Sequence, residues 1–321
     1  ESYGGENLYK LSEYFRDRDN TRLVHYEGVV HDRRFDETSD IESRMYAKVH
    51  DIEQYLNNDP QKPFILCEYT HAMGNSNGGM HKYIELEEKY PMYQGGFIWD
   101  YIDQGIMTKD RYGKNYIAFG GDFADIPTDY NFCINGLVYA DRRPSPKIQE
   151  VKYLYQDFKI YPSKDSVRVK NQALFTNTSK FKLIWKLKRN GHVILKNSLD
   201  CDIGPQSEKN IKLPIPEQTV NGEYIVDVSF ILKKDEKWAN AGYEIAFGQY
   251  VYRIGEKTNE KSTLPIQIED CKSNIGVKGQ DFHVIFSKPY GTIVSLKYAG
   301  KEMISKGLMP NFWRAPTDND R

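Results

Sequence analysis

One stretch constrains the fold of this chain more than any other, and it runs from Pro63 to Ser76. Four apolar residues lead directly into the carboxylate of Glu68, and a polar, glycine-containing loop with His71 follows. A short apolar run between a proline and a glycine predicts a strand that is buried on both faces. Burying an ionised carboxylate at the end of such a strand is costly unless the group has a partner or a chemical task. Glu68 is therefore either a functional group or a residue that caps the next turn or pairs with a lysine.

Strands and helices alternate through the first half of the chain. Apolar residues at helical spacing predict helices over residues 6–19 and 49–56, and a third helix after the glycine pair at 78–79. Predicted strands lie at residues 21–28, 40–46, 63–69 and 93–104. This alternation, with a period of about 20–35 residues, favours βα units around a parallel sheet. About four such units make half of a (β/α)₈ barrel, the fold in which catalytic groups lie at the carboxyl ends of the strands.

The pattern changes near residue 159, where short runs begin to alternate apolar and polar residues, as is typical of half-buried antiparallel strands. Asn190-Gly191 predicts a tight hairpin turn between two of these strands. We therefore predict an α/β part followed by all-β parts. The pattern predicts half of a barrel over residues 1–158, an immunoglobulin-like β-sandwich over residues 159–255, and a linker with an unfinished β segment over residues 256–321.

Composition excludes several classes of partner. The net charge of −1 and the pI near 6.8 give no electrostatic reason to expect nucleic acid or an anionic membrane surface. No apolar run approaches the roughly 20 residues that a membrane helix needs. The four cysteines are widely spaced without a CxxC pair, so we expect neither a zinc site nor a disulfide scaffold, but buried, reduced thiols in a cytoplasmic protein.

Several longer motifs point to one family. They are Cys67–Ser76 (CEYTHAMGNS), Gln94–Gln104 (QGGFIWDYIDQ), Gly120–Phe123 (GGDF), Phe132–Leu137 (FCINGL) and Arg314–Asp320 (RAPTDND). In this order and spacing they resemble the large bacterial β-galactosidases of glycoside hydrolase family 2. The resemblance covers the whole chain and is weakest in the middle sandwich. It implies that residues 1–158 are the C-terminal half of the TIM barrel, and that residues 256–321 hold a linker and the start of a second, C-terminal β-sandwich. The chain would then be a fragment whose partners are the missing N-terminal and C-terminal parts of the same enzyme, which is expected to be a homo-oligomer.

The resemblance assigns the two carboxyl groups that a retaining glycosidase needs, which lie about 5–5.5 Å apart on either side of the scissile bond. Glu68 matches the nucleophile, which attacks the anomeric carbon and forms a covalent glycosyl-enzyme. Glu1 matches the acid/base, which must hold a proton near neutral pH to protonate the leaving oxygen. The alternative for Glu1 is a frayed chain end without a catalytic role.

Other positions of the family match one at a time. Tyr46 matches a tyrosine that assists departure of the nucleophile, and Met45 is its neighbour near the substrate. His71 matches a histidine that binds a substrate hydroxyl. Trp99 matches the tryptophan under the apolar face of the sugar, although a tryptophan at a strand end is more often a core residue.

The resemblance also implies two kinds of cation. The carbonyl of Phe132 and the amide of Asn135 match ligands of Na⁺ or K⁺, and hard cations prefer such oxygen ligands. Glu1 matches one ligand of a Mg²⁺ ion whose other protein ligands lie outside this chain. Thr128 departs from the asparagine that some members have at a peripheral metal, which puts that peripheral site in doubt.

We expect a retaining β-galactosidase that hydrolyses lactose or related β-galactosides. The alternatives are a β-glucuronidase or β-mannosidase of the same family, or a non-catalytic binding or assembly fragment. A β-glucuronidase should carry a basic element for the sugar acid, and none is obvious in the sequence. The 321-residue chain alone is expected to be inactive, because much of the barrel wall is missing and a misplacement of 1 Å can cost about 10²-fold in rate.

Overall fold

The computed structural model describes residues 3–255 and 264–313. Glu1, the predicted linker at 256–263 and the motif at 314–320 therefore lie outside the described residues. The chain divides into two compact units, with the boundary between Arg253 and Ile254. The first unit contains a mixed helical and parallel-stranded part followed by antiparallel strands, and the second contains antiparallel strands.

The helices and parallel strands of the first unit follow the predicted order, except that one predicted strand is absent from the described residues and the last helix is not predicted by the sequence pattern. Four helices lie at α1 (Glu6–Arg18), α2 (Val49–Leu56), α3 (His81–Lys89) and α4 (Lys147–Leu154). Short 3₁₀ turns lie at Glu27–His31, Arg33–Thr38 and Tyr130–Cys133. Strands β1 (Glu42–Met45), β2 (Phe64–Tyr69) and β3 (Tyr93–Ile98) form a parallel sheet in the order β1-β2-β3. The parallel sheet is confirmed, and the described residues do not close it into a barrel.

The strand predicted at residues 21–28 is wrong. The amide of Val24 donates to the side chain of Asp40 at 2.7 Å, and the amide of Tyr26 donates to the hydroxyl of Ser39 at 3.1 Å. A 3₁₀ turn begins at Glu27. Because side chains take up these amides, no ladder with a neighbouring strand forms here among the described residues.

The core of this part lies between the sheet and its helices. Its fully buried members include Ile52 of α2, Phe64, Leu66 and Tyr69 of β2, and Leu86 of α3. The opposite side of β2, which carries Ile65 and Cys67, is only half-buried. The prediction that β2 is buried on both faces is therefore met on the helix side alone within the described residues.

Two further strands, β4 (Ile106–Lys109) and β5 (Asn115–Ala118), form a small antiparallel hairpin after β3. The next strands are β6 (Phe158–Pro162), β7 (Ser166–Asn171), β8 (Phe181–Arg189), β9 (His192–Asp200), β10 (Ser207–Lys212), β11 (Gly222–Leu232) and β12 (Glu244–Ile254).

These seven strands form a sandwich of two sheets, in the orders β10-β7-β6 and β12-β11-β8-β9. Phe158 of one sheet packs edge-on against Phe181 and Phe230 of the other. The predicted hairpin between β8 and β9 is confirmed, with φ of 47° at Asn190 and 84° at Gly191. The predicted β-sandwich is present, and buried residues alternate with less buried ones along β7, β8 and β11 as the sequence pattern requires.

The second unit is an antiparallel meander. Its strands are β13 (Gln267–Asp270), β14 (Asn274–Lys278), β15 (Phe282–Ser287), β16 (Thr292–Tyr298) and β17 (Lys301–Glu302), each paired with the next. No side chain between residues 264 and 313 is fully buried. A single sheet has no partner layer over its apolar face, so this unit holds no closed core among its described residues.

The cysteines and the lengths of the helices can be compared with the predictions from composition. All four cysteines are free thiols: Cys201 is buried, Cys67 and Cys133 are half-buried, and Cys271 is exposed. The prediction of buried thiols is therefore wrong for Cys271, which lies in the single-layered second unit. None of the helices in the described parts of the chain combines the length and apolarity needed to cross a bilayer.

Candidate active site

A cavity of about 810 Å³ opens at the carboxyl ends of β1, β2 and β3. It is lined by Met45, Tyr46, Glu68, Thr70, His71, Asn75, Ser76, Asn77, Gly78, Trp99 and Phe132. The sheet register brings the first of these together, because Met45 is the partner of Glu68 across β1 and β2. The amide of Tyr46 then donates to the carbonyl of Glu68 at 2.9 Å. Residues far apart in sequence thus meet at one edge of the sheet, as the strand pattern predicts.

The Glu68 carboxylate has a fixed partner. The hydroxyl of Tyr46 donates to Oε2 of Glu68 at 2.7 Å. A hydrogen bond to an ionised carboxylate is short and orients it, while the second oxygen is left for other chemistry. Tyr46 has a φ of 52° directly after β1, and this turn of the backbone carries its ring over the cavity. Of the two roles that the sequence leaves open for Glu68, a carboxylate beside a cavity fits the functional one.

The neighbouring thiol is not a competing nucleophile. Burial raises the pKa of Cys67 to about 11, and the negative charge of Glu27 acts in the same direction. A thiol must lose its proton to act as a nucleophile. Cys67 therefore stays protonated near neutral pH, and Glu68 is the group on this strand that is equipped to attack.

His71 and Trp99 form further parts of the cavity wall. The ring of His71 lies 5.8 Å from that of Tyr46, edge-on at 71°, and 5.9 Å from that of Phe132. Trp99 is 37% exposed and follows directly after β3. It is therefore not a core residue, which was the alternative from its position in the sequence. A partly exposed indole beside a carboxylate suits the apolar face of a sugar ring.

Asn135 and Phe132 lie side by side at the edge of the cavity. The side-chain amide of Asn135 donates to the carbonyl of Phe132 at 3.1 Å. Asn135 is 3% exposed, and its Oδ1 accepts no hydrogen bond from the described residues. The backbone of Asn135 is held as well, because its carbonyl accepts from the amide of Asp100 at 2.8 Å. A buried amide oxygen without a donor among the described residues is a ligand of the kind that a hard monovalent cation prefers, and the side chain that carries it contacts the Phe132 carbonyl through its nitrogen.

The other metal predictions have less support. Within residues 3–255 and 264–313, no three His, Cys, Asp or Glu side chains are grouped so as to hold a metal ion. Glu1, the predicted Mg²⁺ ligand and acid/base, lies outside the described residues. Thr128 accepts a hydrogen bond from the amide of Tyr130 at 3.1 Å, which gives its hydroxyl a structural partner.

Sequence reasoning gave no role to several residues at this edge. Thr70 and the segment Asn75–Gly78 line the cavity, although they were noted only as a polar loop. Lys147 contacts the backbone of the same loop from α4, 75 residues away in sequence. The polar composition of the loop is a signal for the first group. No local pattern marks Lys147, because its partners are backbone carbonyls on another element.

Three family models match this chain. A model of the "Glycosyl hydrolases family 2, TIM barrel domain" matches residues 1–160, and one of "Beta-galactosidase, domain 4" matches residues 167–253. A model of the "Beta galactosidase small chain" matches residues 278–321. The chain belongs to glycosyl hydrolase family 2, and it contains a TIM-barrel domain of that family followed by β-sandwich domains.

Curated relatives agree with the family models. A β-galactosidase of Halalkalibacterium halodurans is 57% identical over 326 residues, which cover all of this chain and 32% of that protein. A β-galactosidase of Clostridium acetobutylicum is 52% identical over all of this chain and 36% of that protein. The chain thus spans about a third of the length of these relatives. The resemblance to bacterial β-galactosidases is confirmed.

One further relative and one solved structure complete the comparison. The "Beta-galactosidase large subunit" of Lactobacillus helveticus is 53% identical over 48% of this chain and 25% of that protein. A solved β-glucuronidase of Bacteroides uniformis covers 77% of this chain and 30% of its own, with 15% identity and a TM-score of 0.32. A likeness of that size supports neither a fold nor a substrate.

Proposed function

We propose that this chain is part of a retaining β-galactosidase in which Glu68 is the nucleophile. The observation that carries the proposal is the 2.7 Å hydrogen bond from the Tyr46 hydroxyl to the Glu68 carboxylate, at the carboxyl end of β2 and beside the cavity. Membership of glycosyl hydrolase family 2 and the names of the relatives support the reaction and the sugar. The rest of the same enzyme would complete the barrel and the site.

The reaction proceeds in two displacements. Glu68 attacks the anomeric carbon, and the glycosidic oxygen leaves with a proton from a carboxylic acid, the role that the resemblance gives to Glu1. The product of this step is a galactosyl ester of Glu68. Water then attacks the same carbon, the acid/base takes its proton, and the Glu68 carboxylate departs. The Tyr46 hydroxyl donates to that carboxylate as its charge returns.

The remaining wall residues bind the sugar. Trp99 presents a flat apolar surface for the C–H face of galactose, and Met45 is a further apolar residue of the cavity lining. His71 reaches a substrate hydroxyl, with its ring oriented by Tyr46 and Phe132. The described residues that line the cavity include no Lys or Arg. This composition favours a neutral sugar over the sugar acid of a β-glucuronidase, whose carboxylate needs a cationic partner.

Two cations complete the proposal. The carbonyl of Phe132 and Oδ1 of Asn135 would hold Na⁺ or K⁺, which supplies positive charge for a sugar hydroxyl at this edge of the cavity. The ion competes for the Phe132 carbonyl with the amide of Asn135. Glu1 would contribute one ligand to Mg²⁺, whose other ligands come from outside this chain.

The finer architecture and setting also belong to this proposal. Residues 1–158 would be the C-terminal half of a TIM barrel, residues 159–255 an immunoglobulin-like sandwich, and residues 256–321 a linker and part of a second sandwich. The complete enzyme would be a cytoplasmic homo-oligomer that acts on lactose. The 321-residue chain alone would show little or no turnover.

Covalent trapping tests the proposal directly. The complete enzyme that contains this chain is incubated with activated 2-deoxy-2-fluoro sugars of the galacto, manno and glucurono series, digested, and analysed by peptide mass. We expect a galacto adduct on the peptide that carries Glu68, and none in a folded Glu68→Gln variant. A glucurono or manno adduct would overturn the substrate. Absence of every adduct on the folded enzyme would favour a non-catalytic binding protein.

A further inference from the structure

Lys147 makes an unusual connection between α4 and the loop that follows Glu68. Its ammonium donates to the carbonyl of Ala72 at 2.5 Å and to the carbonyl of Gly74 at 3.1 Å. These carbonyls lie 75 and 73 residues away in sequence. Lysine carries three donors and no acceptor, so one side chain can hold two backbone carbonyls at once.

The position of Lys147 within α4 gives no reason for a lysine at this site. It is the first residue of α4, and a positive charge in the first helical turn opposes the helix dipole. The side chain is half-buried, which adds a desolvation cost for the ammonium. The compensation lies outside the helix, in the two loop carbonyls. Lys147 is also close to Asp103. Burial raises the pKa of the Asp103 carboxyl group, and the positive charge of Lys147 acts against that rise.

The loop that Lys147 holds needs support from elsewhere. Thr70, Gly74 and Asn77 all have positive φ, at 47°, 55° and 70°, so the backbone cannot satisfy itself as a helix or a strand. Ala72 has no exposed surface, and a buried carbonyl without a donor is costly. The amide of Ala72 donates to the carbonyl of Trp99 at 2.8 Å, and its carbonyl accepts from Lys147. Ala72 is thus fixed from both sides.

The residue before Ala72 is His71, which forms part of the cavity wall. Fixing the Ala72 peptide sets the distance from His71 to Trp99, directly after the neighbouring strand β3, and to Glu68, three residues earlier. We propose that Lys147 is a positioning residue, whose ammonium fixes the Ala72–Gly74 backbone and thereby holds His71 in register with Glu68 and Trp99. The inference rests on the proposed function, because the cavity must bind a sugar for the position of His71 to matter.

The test uses the complete enzyme and a matched pair of variants. Lys147→Met removes the ammonium and keeps the length of the side chain. Lys152→Met removes a charge from the same helix, where the ammonium lies 3.6 Å from Glu244 and away from the loop. We expect Lys147→Met to lower kcat/KM by about 10–100-fold, as for a displaced catalytic group, and to weaken binding of an unreactive thiogalactoside in calorimetry. Lys152→Met should stay within about twofold, and Lys147→Arg, which keeps donors and charge, should recover most of the loss.

A double-mutant cycle separates positioning from a general loss of stability. If Lys147 acts through His71, Lys147→Met should cost much less in a His71→Phe background than in the wild type, because the group it positions is gone. Additive effects, or a loss no larger than that of Lys152→Met, would overturn the inference. Should Lys147→Met fail to fold, Lys147→Gln, which retains an amide donor, takes its place in the cycle. If the wild-type enzyme forms no trapped adduct on Glu68, the proposed function is overturned as well. If the adduct forms but the effects of the Lys147 and His71 variants are additive, this inference alone is overturned.

Discussion

Removal of one hydroxyl tests the central contact of the site. Tyr46→Phe deletes the donor to Glu68 and keeps the ring that lies edge-on to His71, so the cavity wall should stay in place. A hydrogen bond to a charged group contributes about 1.5–3 kcal/mol. Because Tyr46 is 38% exposed, we take the lower part of that range. At about 1.4 kcal/mol per tenfold, a loss of about 1.5–2 kcal/mol corresponds to roughly 10–30-fold in rate.

The loss of rate should fall on the second step, in which water hydrolyses the galactosyl ester of Glu68. Glu68 is charged before it attacks, neutral in the galactosyl ester, and charged again as it departs, so the Tyr46 hydroxyl assists departure and not attack. We therefore expect kcat to fall about 10–30-fold while kcat/KM changes little and KM falls with kcat. The accumulated ester should appear as a burst of aglycone in stopped-flow with a nitrophenyl galactoside. A fall in kcat/KM with no burst, or a kcat within twofold of wild type, would refute the reasoning.

Three further predictions follow from other contacts. Burial alone would raise the pKa of Glu42, but hydrogen bonds from Arg33 and Arg44 lower it. The hydrogen-bonded Glu42 carboxylate stabilises the fold fully above pH 4.5, the ordinary pKa of this group, and this stabilisation is lost as pH falls below that value. Arg33→Met should therefore lower the free energy of unfolding by about 1–3 kcal/mol at pH 7 and by far less at pH 3, as measured by thermal melting. An equal loss at both pH values would contradict the pairing. A Cβ on Gly136 would lie 2.1 Å from a backbone nitrogen, so Gly136→Ala should lower the melting temperature by several degrees, unlike Gly5→Ala, which meets no atom within 4 Å. Activity of the dialysed enzyme should rise with Na⁺ or K⁺ and lose that response in Asn135→Ala; a flat wild-type titration would remove the cation site.

The elements that the sequence predicts well are those whose signal lies within the element itself. Strand β2 follows from four apolar residues in a row, and the turn at Asn190 follows from the glycine next to it. The strand predicted at 21–28 fails for the opposite reason, since the amide of Val24 is taken by Asp40, 16 residues away. A side-chain partner at that distance leaves no periodic trace in the sequence.

The same distinction holds within the site. Glu68 and the loop after it stand out because a carboxylate ends an apolar run, which is a local anomaly. Tyr46 and Trp99 have no such anomaly, and the resemblance to the family, not the pattern, marks them before the sheet register brings them to Glu68. Neither the sequence pattern nor the resemblance to the family identifies Lys147. Its partners are backbone carbonyls, which any residue type can supply.

The proposed chemistry divides the catalytic roles between the described residues and groups outside them. Retention requires two carboxyl groups, and Glu68 is the one carboxylate among the described residues that line the cavity. Tyr46 donates to Oε2 of Glu68, and a retaining mechanism requires the second carboxyl group to lie about 5–5.5 Å from Glu68. That position has to be filled from outside the described residues, which is where Glu1 lies. In the proposed mechanism, the described part of the chain would therefore supply the nucleophile, its hydrogen-bond donor and the sugar-binding wall, and proton transfer would depend on the acid/base residue that completes the site.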